Sequence, residues 1–162
     1  MKQDGLRRQL LDLLGGGHAH PDFDRAVADL PDELRGASHA ELPYSAWQLV
    51  EHLRIAQWDI LEFSRNPKHV SPDWPAGYWP DATAPNERDW EHSLAGFRRD
   101  LKQMMELVAD PNSDLLAPFP WAESANLLRE ALLLADHNAY HLGQLVMLRR
   151  LLGAWPPKRR KR

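Results

Sequence analysis

The chain has 162 residues, 43% of them hydrophobic and 27% charged, which suits one globular domain with a core and leaves no room for two. Cysteine is absent, which excludes disulfides, thiolate metal sites and cysteine nucleophiles and fits a reducing compartment; any metal must be held by imidazole, carboxylate or water. The net charge of −3 hides an asymmetry, because residues 158–162 are all basic; without those five charges the chain carries −8, a poor surface for phosphate backbones.

Charges at Lys2, Asp4, Arg7, Arg8 and Asp12 interrupt the N-terminus, and no apolar run of about 18 residues occurs anywhere. Neither a secretory leader nor a membrane span is expected, and the protein reads as cytoplasmic. Leu6, Leu10, Leu13 and Leu14 share one helical face, which Gly15-Gly16-Gly17 ends abruptly. A shorter helical piece runs from His20-Pro21 through Phe23, Val27 and Leu30, limited by Pro31. The two together read as a first helix with a glycine hinge.

The second helix has the clearest start. Ser45 and Gln48 stand at capping-box spacing, and Tyr44 and Leu49 at that of a hydrophobic staple. Leu49, Val50, Leu53, Ala56, Ile60 and Leu61 form the buried stripe, and Asn66-Pro67 closes the helix. From 68 to 85 four prolines alternate with Trp74, Tyr78 and Trp79, which predicts a long crossover packed by its aromatic rings. Such a crossover can wall a pocket or simply cover helix ends, and covering is the simpler expectation.

A third helix is expected from an Asn86 cap through Trp90, Leu94, Phe97, Leu101, Met104, Met105 and Val108 to Asp110-Pro111. After a break at 115–121, containing Pro118 and Pro120, a fourth runs from about Glu123 to Leu152, with Gly153 at its end. No internal repeat and no glycine-bounded β-branched run is present, so the chain reads as an all-α bundle of four helices over 1–155. Residues 156–162 read as a solvated basic tail. It could touch nucleic acid or anionic lipid, but neither nucleic acid nor a membrane is expected as a partner.

Of the eight histidines, His18, His39, His69 and His92 fall in loops or on polar faces and are expected to meet solvent. His137 and His141 are one turn apart on one face of the longest apolar helix, spacing that suits two ligands of one ion. Glu130 and Gln144 continue that polar strip through a leucine-rich segment, where an unpaired polar group costs roughly 1–3 kcal/mol. His52, between Leu49 and Leu53 with Gln48 and Asp59 on the same side, can face the pair if the second and fourth helices are neighbours. Three imidazoles suit zinc, nickel or another first-row ion and leave positions open for water or substrate. The residues equally allow three core histidines bonded to carboxylates or carbonyls.

Leu128-Arg129-Glu130-Ala131 and Asp136-His137-Asn138-Ala139-Tyr140-His141-Leu142-Gly143-Gln144-Leu145 closely resemble the last-helix motif of the DinB-like, damage-inducible superfamily. That superfamily includes the YfiT-type metal-dependent hydrolases and is unrelated to the translesion polymerase of the same name. Leu49-Val50-Glu51-His52-Leu53-Arg54-Ile55-Ala56-Gln57 looks like its second-helix motif, and the resemblance extends to the glycine-rich break and the Tyr78-Trp79-Pro80 crossover. It implies an up-down-down-up four-helix bundle, often dimeric, with a divalent ion (zinc, nickel or manganese) on His52, His137 and His141. Members include thiol-dependent transferases and isomerases beside many proteins without a known reaction.

The resemblance leaves two readings of function. One is a metal-dependent enzyme, a hydrolase or a low-molecular-weight-thiol transferase, acting on a small molecule such as a thiol. In it, Glu130 and Gln144 are candidates to orient imidazoles, unless Glu130 simply pairs with Arg129. The other is a non-catalytic, stress-related protein that binds metal or a small molecule. His20 could reach the open side of the ion, although a surface role is commoner for such a residue. No serine-hydrolase elbow, P-loop or dinucleotide fingerprint is present. For a homodimer, Trp47, Trp58 and Trp155 are the candidate anchors, each of which could equally be core.

Overall fold

Most helices begin where a side chain accepts from the backbone N–H groups that a first turn leaves open. In the computed structural model, which describes residues 3–157, six helices are formed. They are α1 (Asp4–Gly15), α2 (Phe23–Val27), α3 (Asp32–Arg35), α4 (Ala46–Arg65), α5 (Glu87–Ala109) and α6 (Leu127–Leu151). The basic run at 158–162 lies outside the described residues. Asp22 caps α2, Asn86 caps α5 and Asn126 caps α6, each accepting from the third residue onward. Ser45 and Gln48 form the expected reciprocal capping box on α4.

The glycine hinge is present. Gly16 and Gly17 adopt φ of 67° and 82°, which only glycine accepts without strain, and they turn the chain from α1 into α2. Pro31, expected to end a helical piece, instead stands at the start of α3.

α4 packs against both α5 and α6, and α1 lies across α5 and α6. One set of buried side chains joins Leu49, Leu53, Phe97 and Leu145 beneath α2; the other joins Leu61, Met104 and Leu134 beneath α1. Each fully buried side chain of this size contributes about 1.5–3 kcal/mol through removal from water. Between the two sets, along α4 and α6, sits a polar pair: Asn138 Nδ2 donates to Gln57 Oε1 at 3.0 Å, and Gln57 Nε2 donates to the Phe97 carbonyl at 2.6 Å.

Two buried arginines close helix ends. Arg149, fully buried, donates to the carbonyls of Ala26 at 2.5 Å and Ala28 at 2.8 Å, just where α2 finishes, and also to Ala154. Arg7 donates to the carbonyls of Val108 at 2.5 Å and Ser113, at the end of α5.

The all-α expectation needs one correction. Pro118–Phe119 (β1) and Ala122–Asn126 (β2) pair antiparallel across a tight turn, so the residues from Glu123 that were expected to begin the last helix are strand. The reason is packing against α4. Phe119 and Trp121 stack with centroids 5.2 Å apart, and Trp121 Nε1 donates to the Phe63 carbonyl at 3.0 Å, holding the turn on α4. The chain is therefore mostly helical with a small two-stranded sheet. No helix among the described residues is long and apolar enough to cross a membrane.

Candidate metal centre

The periodicity of α4 turns His52 inward beside Leu49 and Leu53, and α6 turns His137 and His141 toward it. His52 Nε2 lies 3.1 Å from His141 Nε2 and 3.1 Å from His137 Nε2. Two nitrogens held about 2.0–2.1 Å from one ion, at angles from square to tetrahedral, stand about 3 Å apart, so the spacing fits a shared ion.

Hydrogen bonding at the far side of two of the three rings decides what their nitrogens carry. His52 Nδ1 is 2.9 Å from the Tyr78 carbonyl, which only accepts, so Nδ1 bears the proton and Nε2 a lone pair. His141 Nδ1 is 2.7 Å from Gln144 Oε1, which fixes the same tautomer there. The two rings therefore aim lone pair at lone pair. His137 Nδ1 is buried without a hydrogen-bond partner. Burial, followed by the neighbouring histidines, lowers the His137 pKa to about 4; burial likewise lowers His52 to about 4 and His141 below its ordinary value. Three neutral, convergent imidazoles are a donor set that a divalent cation satisfies and that a proton is discouraged from satisfying.

The crossover lies against this cluster rather than merely over helix ends. The Trp79 ring lies flat on His52, centroids 3.9 Å apart, and Tyr44 stacks on the other face of Trp79 at 4.0 Å. Tyr78, in a single 3-10 turn at Ala76–Tyr78, donates its hydroxyl to Asp59 Oδ2 at 2.7 Å. Burial first, and then the Asp59 carboxylate, push that hydroxyl's pKa up to about 12. The rings of Trp74, Tyr78, Trp79 and Tyr140 wall a cleft of about 550 Å³ that opens on His52, His137 and His141.

Several expected roles change. His69 does not face solvent: its side chain is only 6% exposed, its Nε2 sits 2.7 Å from Asp59 Oδ1, and Trp58 meets it edge-on. His18 and His92 are exposed as expected, whereas His39 is half-buried and its Nδ1 accepts from the Glu41 N–H. His20 is outside the cleft, exposed, with Nδ1 3.0 Å from the Pro21 carbonyl. Glu130 is buried and pairs with Arg129, not with an imidazole; burial outweighs that pair and raises its pKa. Gln144 does orient His141, and Gln48 is spent on the helix cap. Trp47 is core, Trp58 packs on His69, and Trp155 lies under the Arg149 guanidinium.

Asp59, Tyr78 and Trp79 are the contributors that spacing did not identify. The sequence signals were Asp59 itself, a carboxylate on the buried stripe two turns from His52, and the aromatic crossover that could wall a pocket. Compared with known proteins, residues 18–145 match the family described as the DinB superfamily. No curated protein and no solved structure matches the chain.

Proposed function

This chain belongs to the DinB superfamily, and from that premise we propose that it is a metal-dependent enzyme whose ion sits on His52, His137 and His141. The observation that carries the reading is the pair of unprotonated Nε2 atoms of His52 and His141 facing each other at 3.1 Å. Imidazole donors favour zinc or nickel over manganese. Held by these three histidines, such an ion would supply either water activated toward hydroxide near neutral pH or a thiol activated as thiolate. Gln144 and the Tyr78 carbonyl keep the imidazoles in the donor tautomer, and Trp79 shields one face of His52 from water.

The reaction class is hydrolysis or transfer of a low-molecular-weight thiol. The exposed rings of Trp74 and Tyr140 at the cleft suit a substrate with a flat apolar body. The same family membership favours an up-down-down-up bundle and a homodimer, while length and charge favour a single domain over 1–155 in the cytoplasm that takes no nucleic acid as partner.

The test is elemental analysis of tag-free protein prepared without nickel resin, beside His52→Ala and His137→Ala. About one ion per chain, lost in both variants while circular dichroism is unchanged, supports the centre and justifies screening hydrolysis and thiol transfer with that metal. A wild type that holds no ion and takes up none on titration sinks it.

A further inference from the structure

We propose that Asp59 is a positioning residue for His52, acting not by touching it but by pinning the crossover whose Tyr78 carbonyl fixes its tautomer. Asp59 stands seven residues after His52 on α4, two turns along the same face, and its side chain is buried. Its two carboxylate oxygens are each taken by one residue of the crossover: His69 Nε2 on Oδ1 and the Tyr78 hydroxyl on Oδ2, both at 2.7 Å. Tyr78 is thereby held at both ends, its hydroxyl on Asp59 and its carbonyl on His52 Nδ1 at 2.9 Å.

A loop carbonyl selects a tautomer only as well as the loop is placed. Apart from the 3-10 turn, residues 68–79 form no helix or strand, so side chains must locate them. Further along, the crossover is tied separately: Ser45 Oγ donates to the Thr83 carbonyl at 2.7 Å, and Gly36 lies so close to Ala84 that a Cβ there would stand 2.3 Å from the alanine's. Between Asn66 and those ties, Asp59 is the anchor on which both His69 and Tyr78 converge. A carboxylate accepts from both partners at once, whereas an amide offers one acceptor oxygen and turns an NH₂ toward the second partner, which must then give up its donor role. The function of this device rests on the metal reading; its structural effect on His52 does not.

The experiment uses the full chain with Tyr78→Phe and Asp59→Asn, folding being checked by circular dichroism. In metal-free protein, ¹⁵N spectra of the histidine side chains report the His52 tautomer. The wild type is expected to be protonated at Nδ1, and both variants to populate the two tautomers. Cobalt titration is expected to give a dissociation constant 10–100-fold higher in each variant. The double variant should be no worse than the weaker single, since both break one linkage.

An unchanged His52 tautomer in folded Tyr78→Phe overturns the proposal, and that variant decides if Asp59→Asn fails to fold. Shifted tautomers in the variants, beside a wild type that binds no cobalt, would sink the metal reading and leave the positioning role standing. Unshifted tautomers in the variants, beside a wild type that does bind cobalt, would do the reverse.

Discussion

Trp79 lies parallel to His52, interplanar angle 1°, so the crossover presents an aromatic face to the one candidate ligand that α4 contributes. The stack and the Tyr78 carbonyl act on the same ring from two directions, one excluding water and one fixing the proton. Replacing Trp79 by leucine should therefore cost about 1–3 kcal/mol of stability through lost burial and stacking. It should also weaken cobalt binding roughly tenfold. Urea unfolding and a metal titration on the same preparation check both effects. Undiminished cobalt binding would mean that the ring is only packing.

Acid should destabilise the metal-free protein in a defined window. His52 and His137 are lowered from 6.5 to about 4 by burial, so the unfolded chain binds their protons more readily than the fold does. Their contribution is complete above about 6.5 and is lost as pH falls through about 4. Glu130 works with the opposite sign: its raised pKa means that ionisation opposes folding as pH rises. Relative to wild type, Glu130→Gln should thus be more favourable at pH 8 than near pH 4. Thermal unfolding across pH 4–8, wild type against Glu130→Gln, separates the two contributions.

Arg149 holds three carbonyls with one guanidinium. Burial lowers its pKa, so the charge is kept against desolvation by those acceptors. Arg149→Met should remove the charge but strand the carbonyls of Ala26 and Ala28, a net loss of about 2–4 kcal/mol. Its urea midpoint should drop while metal content per chain stays at the wild-type value, because the residue is distant from the triad along α6.

Trp74 and Tyr140 are 78% and 63% exposed, which core packing does not explain. Trp74→Ala and Tyr140→Ala should leave stability and metal content unchanged. Both should weaken binding of benzenethiol to the zinc-loaded protein about five- to tenfold. Calorimetry decides, and equal affinities in all three proteins would remove these rings from the site.

What the sequence made legible was whatever is local or periodic. The caps at Ser45, Asn86 and the glycine hinge follow from residue types at fixed offsets, and they are where expected. The inward turn of His52, His137 and His141 follows from helical period, and their convergence required only that α4 and α6 be neighbours. The Asp59, His69 and Tyr78 linkage was not legible, because it joins an irregular crossover to a helix and no period relates the two. His69 looked like a loop histidine for that reason. At 118–126 the prolines marked a break but not the pairing, which depends on Phe119 and Trp121 packing beside Phe63 on α4.

His52 and His137 meet across 85 residues of chain, a stretch that contains all of α5. An ion seated between them would tie the two ends of a long loop in the folded chain alone, so its binding free energy would add to the stability of the fold. Chelation should accordingly be felt at α5, which contributes none of the three histidines, as faster hydrogen exchange along its backbone.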